Sequence, residues 1–201
     1  VAYDESVISE ITLAFFEDSG WYKTNKYTGG LFRYGKNEGC GFLDRKCSSN
    51  GTSEYPNEFC SNGPYSSVCT AGYLSRAICY ITEMENQIEV NYRYFINSRI
   101  GGYRLADYCP VAAVPTNTSQ YYPYSCSSGL SRYPADMNEV ISRDSLCFMS
   151  TLIRQDKYND FKDKYGRKDN AICYTYDCDY VNQRLQVLVG NSFAVCPQQG
   201  G

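Results

Sequence analysis

Eleven cysteines and no histidine in 201 residues set the terms for this chain. Cys40, Cys47, Cys60, Cys69, Cys79, Cys109, Cys126, Cys147, Cys173, Cys178 and Cys196 are spread along the sequence rather than grouped. That is the pattern of a disulfide framework, which persists in oxidising compartments. The lack of histidine removes the commonest general base and the commonest metal ligand. A Ser-His-Asp triad, a Cys-His pair and an HExxH zinc site cannot be built from these residues. Structural zinc sites draw their thiolates in close pairs. Here the closest cysteines are Cys173 and Cys178, and no CxxC occurs. The odd count leaves at least one sulfur unpaired or paired outside these residues.

The aliphatic core is thin. Leu, Ile, Val and Phe make up 40 of 201 residues, near the low limit for an ordinary packed domain, while tyrosine occurs 21 times. Tyrosine buries a large ring and keeps its hydroxyl bonded or wet. Such a composition suits a loop-rich extracellular domain stabilised by crosslinks. Two sequons agree with it, Asn50-Gly51-Thr52 and Asn117-Thr118-Ser119, both in turn-prone surroundings. The net charge of −3 and the absence of a basic run argue against nucleic acid as a partner. No apolar stretch reaches membrane-spanning length. The start lacks an initiator Met and a signal-peptide pattern, so a processed or partial product is expected.

Residues 4–22 read as a helix, with Ile8, Ile11 and Phe15 on one stripe and Gly20 able to end it. Residues 24–67 are rich in Gly, Asn, Ser and Tyr and read as turns with short extended pieces. Residues 71–80 suggest a turn and strand, and residues 90–96 an imperfect strand. Residues 110–135 form a Pro-rich loop, and residues 138–148 suggest a short helix. Residues 171–176 and 184–189 are both β-rich, joined as a hairpin through residues 177–183. The expected class is α+β: a loop-rich, disulfide-stapled module with an N-terminal helix and short antiparallel strands near the C-terminus.

Carboxylates offer one other chemistry. Glu17-Asp18, Glu83 and Glu85, and the acids around residues 156–163, could supply a glycosidase-like dyad, although the last group is interleaved with Lys and Arg like a solvated face. Tyr121-Tyr122-Pro123-Tyr124 could form a contact surface for carbohydrate or protein, or a Pro-ordered loop packed on the domain.

The string Gly35-Lys36-Asn37-Glu38-Gly39-Cys40-Gly41-Phe42-Leu43-Asp44-Arg45-Lys46-Cys47 resembles the leishmanolysin family of zinc metallopeptidases, where the chain leaves the catalytic core. Ile11-Thr12-Leu13-Ala14-Phe15-Phe16-Glu17-Asp18-Ser19-Gly20-Trp21-Tyr22 is similar to the family's helix after the Met-turn, and Asp107-Tyr108-Cys109-Pro110-Val111 matches a short family signature. With the later cysteines, the resemblance covers nearly the whole chain.

It implies that the HExxH helix, the third histidine and the Met-turn lie upstream, so no zinc ligand or catalytic residue carries over to this chain. Residues 1–39 would be the tail of the catalytic or central domain, and residues 40–201 a disulfide-rich C-terminal domain truncated at its end. The implied pairs are Cys47 with Cys109, Cys60 with Cys79, Cys69 with Cys147, and Cys126 with Cys173. Cys40 would reach a partner in the missing catalytic segment, and Cys178 and Cys196 partners beyond residue 201. Without the resemblance, about ten thousand pairings stay open. The implied function is the non-catalytic C-terminal portion of a secreted or cell-surface zinc metalloendopeptidase. Zinc would be held by the missing segment and none by this chain. The implied partners are the upstream catalytic portion or a second chain, and a protein or peptide substrate. Members of the family are often lipid-anchored at the cell surface. A second class stays open: a catalytically inactive surface, adhesion or matrix structural protein on the same scaffold.

Overall fold

A computed structural model of the chain describes residues 8–25, 34–60, 67–114, 124–127, 138–152 and 170–196. Among the described residues two α-helices, α1 (Glu10–Asp18) and α2 (Gly41–Asp44), precede nine strands. The strands are β1 (Ser67–Cys69), β2 (Arg76–Tyr80), β3 (Thr82–Glu83), β4 (Ile100–Gly101), β5 (Val111–Ala113), β6 (Ser145–Ser150), β7 (Asn170–Asp179), β8 (Arg184–Val189) and β9 (Ser192–Val195). They form three antiparallel sheets, ordered β1-β2-β5, β3-β4 and β6-β7-β8-β9. The fold is α+β and disulfide-rich, the class expected from the sequence.

Local sequence explains the largest sheet. β7 and β8 are built from β-branched and aromatic residues, and a four-residue turn joins Asp179 to Arg184. Asp179 caps this turn by accepting from the Asn182 backbone at 3.0 Å and its side-chain amide at 2.7 Å. Those bonds hold its carboxyl below the usual range. Ile172, Tyr174 and Val187 share one face and are buried, with Phe148, Val189 and Ala194 against them. The opposite face carries Cys173, packed with Cys126, Cys147 and Ala171.

Four disulfides replace much of the missing aliphatic core. They join Cys47 to Cys109, Cys60 to Cys79, Cys69 to Cys147 and Cys126 to Cys173. The apolar clusters built around them draw in aromatic or aliphatic neighbours. Cys60 and Cys79 pack with Val68, Ala77 and Ile81. Cys47 sits with Phe59, Tyr94 and Val111, flanked by Phe42, Tyr55 and Tyr103. The Cys69–Cys147 bond spans from β1 to β6 and so ties two sheets together. At the same seam the Ala171 N–H donates to Ser67 Oγ at 3.2 Å.

Several sequence expectations need correction. The first helix is shorter than residues 4–22: Ser9 caps it by accepting from the Thr12 N–H at 3.2 Å, and Gly20, at φ 72°, follows its end. Ile8 therefore precedes the helix. Residues 145–150 are strand rather than helix, because β7 offers them a six-residue antiparallel partner. Residues 90–92 form a 3-10 turn rather than a strand, and Arg93 Nε closes the loop by donating to Ile88 O at 2.6 Å. The acids at residues 156–163 and most of the Tyr121-Tyr122-Pro123-Tyr124 run lie outside the described residues.

Candidate functional site

A run of exposed apolar side chains lies at and around α1. No residue of α1 is buried. Ile11 is 73% exposed and Phe15 70%, and the two lie one turn apart on the same face. Ile8 and Trp21 are also exposed. The segment after the helix folds back only on the other side: Tyr22 packs edge-on against Phe16, with ring centroids 5.3 Å apart, and Thr24 Oγ1 donates to Glu17 at 3.4 Å. The Ile11–Phe15 face is left uncovered among the described residues. Cys40, at the mouth of α2, is exposed and unpaired.

Next to Cys40 the chain is held firmly. Phe42 stacks on Phe59 at 5.7 Å and meets Tyr34 and Tyr55 edge-on. Its ring covers Gly35, where a Cβ would come within 2.6 Å of the ring carbon. This packing accounts for Gly35 and Phe42 within the Gly35-to-Cys47 string. Burial and the Glu58 carboxylate push the Tyr34 hydroxyl pKa up.

The Asp107-Tyr108-Cys109-Pro110-Val111 string is also a backbone device. Asp107 and Tyr108 both have positive φ, 51° and 62°. They turn the chain so that Gly102 N–H donates to Tyr108 O at 2.7 Å and Tyr103 N–H to Cys109 O at 3.1 Å. Cys109 is thereby delivered to Cys47, and Pro110 O accepts from the Cys60 N–H at 2.9 Å.

Sequence reasoning missed a buried ion pair. Arg76 of β2 and Glu139 have side chains 5% and 0% exposed. Arg76 Nη1 donates to both carboxylate oxygens at 2.9 and 3.1 Å, and the first oxygen also accepts the Cys173 N–H at 3.2 Å. The pair locks the loop before β6 onto β7 and against the three-stranded sheet. Its partners are 63 residues apart, so no local pattern announces it.

Cys178 and Cys196 are unpaired and half-buried. Register sets Cys178 opposite Leu185, and the Cys196 N–H donates to Leu185 O at 2.8 Å. The two cysteines thus flank Leu185 in one row on one sheet face. Two strand spacings separate their backbones by roughly 9.5 Å, beyond the ~7 Å reach of a disulfide. Burial raises the Cys196 thiol pKa. Asn50 is exposed at the tip of a tight turn, while Asn117 lies outside the described residues.

Among the described residues, no cluster of His, Cys, Asp or Glu could hold a metal ion. The residues present do not fit a zinc centre. Of the candidate carboxylates, Glu83 is engaged with Arg99 at 3.3 Å in an exposed pair. No described helix is long and apolar enough to cross a membrane.

This crosslinked antiparallel α+β chain has relatives among the peptidases. The family model described as Peptidase M8, leishmanolysin, matches residues 2–201. A leishmanolysin of Leishmania donovani is 31% identical over 200 residues, covering 97% of this chain and 32% of that protein. A leishmanolysin homolog of Crithidia fasciculata is 30% identical over 191 residues, 94% of this chain and 28% of that protein. A leishmanolysin-like peptidase of Drosophila melanogaster is 28% identical over 220 residues, 96% of this chain and 32% of that protein. The chain belongs to the leishmanolysin family of peptidases. It spans about a third of the length of these curated relatives.

Proposed function

We propose that this chain is the non-catalytic C-terminal portion of a secreted or cell-surface zinc metalloendopeptidase. Peptide hydrolysis would be carried out by a zinc centre on sequence outside residues 1–201. Residues 1–39 would be the tail of the catalytic domain, and residues 40–201 the crosslinked C-terminal domain. Cys40 would be bonded to the catalytic segment, and Cys178 and Cys196 to cysteines elsewhere in the same protein. Family membership supports the peptidase class, and the disulfides support an extracellular or surface location, where such bonds persist.

One observation carries the assignment of roles. The Ile11–Phe15 face is exposed, and Cys40, which follows it in sequence, is exposed and unpaired. Burying each such side chain is worth about 1.5–3 kcal/mol, so a cover is strongly favoured. The upstream portion of the same protein supplies that cover in this reading, with Cys40 as its covalent tie. Disulfide mapping of the whole protein without reduction tests it. We expect the Cys40 peptide linked to a peptide from outside residues 1–201, and peptidase activity that a chelator abolishes. Cys40 recovered as a thiol would overturn the docking role. Linked Cys40 without any chelator-sensitive activity would favour the inactive structural or adhesion protein instead.

A further inference from the structure

We infer that Asn50 is an N-linked glycosylation site, with its sugar on the tip of a turn that the fold holds in solvent. The acceptor triplet is Asn50-Gly51-Thr52. Ser49 N–H donates to Thr52 O at 2.8 Å and Thr52 N–H to Ser49 O at 3.0 Å. Asn50 and Gly51 are the two central residues, at φ 50° and 81°. This is the two-residue turn that Asn-Gly favours, with both central residues left-handed.

The turn sorts its three sequon residues by direction. Gly51 faces the protein: its N–H donates to Tyr94 O at 3.0 Å, and a Cβ on it would come within 3.2 Å of the Phe95 ring. Asn50 and Thr52, the acceptor and the hydroxyl residue of the sequon, are both exposed. A sugar on Asn50 therefore needs no buried group to move. The base of the turn is fixed by Cys47, which is buried in its bond to Cys109.

Asn-Gly has a competing spontaneous reaction, which the same contacts oppose. In it the Gly51 nitrogen loses its proton, bonds to the Asn50 side-chain carbonyl carbon and expels ammonia. Water then opens the cyclic imide to aspartate or isoaspartate. The Gly51 N–H is committed to Tyr94 O, so attack requires that bond to break and the turn to open. The folded turn keeps Asn50 as an amide fit to carry sugar. This inference needs only passage through a secretory pathway and does not depend on the peptidase reading.

The test uses the full-length protein secreted from a eukaryotic host. Peptides are mapped before and after treatment with peptide-N-glycosidase in heavy-oxygen water. The Asn50 peptide should appear as labelled aspartate only after the enzyme. Thr52→Val should abolish the label and lower the intact mass by one glycan, and Thr52→Ser should keep both. Recovery of unmodified Asn50, or of unlabelled aspartate or isoaspartate before the enzyme, overturns the inference. The wild-type map gives the answer even if Thr52→Val is not secreted.

Discussion

Replacing Glu139 with Gln keeps the side chain's shape and removes its charge. Arg76 remains protonated in any fold, so the variant leaves a guanidinium in the interior opposite a neutral amide. In the wild type both carboxylate oxygens lie within 3.1 Å of Arg76 Nη1, and neither side chain is more than 5% exposed. Removing one partner of such a pair costs about 3–5 kcal/mol. At roughly 2–4 °C per kcal/mol for a unit of this size, the thermal midpoint should fall by roughly 6–20 °C. Arg76→Met, which strands the carboxylate, should cost a similar amount. The double variant Arg76→Met/Glu139→Leu removes both charges and strands the Cys173 N–H, a loss of about 1–3 kcal/mol. It should therefore be more stable than either single variant. Thermal and urea unfolding with disulfides intact, followed by circular dichroism, measures all four proteins. A Glu139→Gln protein within about 1 kcal/mol of wild type, or a double variant costing the sum of the singles, would refute the reasoning.

Gly102→Ala should prevent secretion of folded protein, since its Cβ would sit 1.8 Å from the Cys109 carbonyl oxygen; a normal yield of the Ala variant would show that this backbone can part. Replacing both Cys60 and Cys79 with Ser should cost about 3 kcal/mol, and replacing both Cys69 and Cys147 about 4.5 kcal/mol, because the second loop is longer, 78 against 19 residues of separation. Equal losses in urea melts would argue against a chain-entropy origin. Burial raises the Tyr174 hydroxyl pKa above its ordinary 10.0, with the Ser150 hydrogen bond opposing the shift. The folded state thus holds this proton more tightly than the unfolded chain. The resulting stability is fully present below pH ~10 and is lost as pH rises through the elevated folded value. Tyr174→Phe should flatten that alkaline loss in melts taken across the range, and an unchanged slope would assign it to other tyrosines.

What the sequence disclosed was local. The β7–β8 hairpin is legible because its residues favour strand on both sides of a short polar turn. The end of α1 is legible in Gly20 and its start in the capping residue Ser9, which an apolar stripe running through Ile8 obscures. β6 was not legible: Leu146, Cys147, Phe148 and Met149 suit helix or strand, and only the partner β7 decides between them. The 3-10 turn at residues 90–92 is likewise fixed from outside, by Arg93 reaching Ile88 O. The Arg76–Glu139 pair joins segments with no shared periodicity, so only the folded chain brings it to view.

The order of the crosslinks has a consequence for survival among proteases. The spans 47–109, 69–147 and 126–173 overlap in sequence. Every peptide bond between Cys47 and Cys173 is therefore bridged by at least one disulfide. A single backbone cut anywhere in that interval releases no fragment. Both new ends stay tethered, and the cut domain remains one molecule until it meets a reductant. Hydrolytic damage to this region accumulates as silent nicks, visible on a gel only after the sulfurs are reduced.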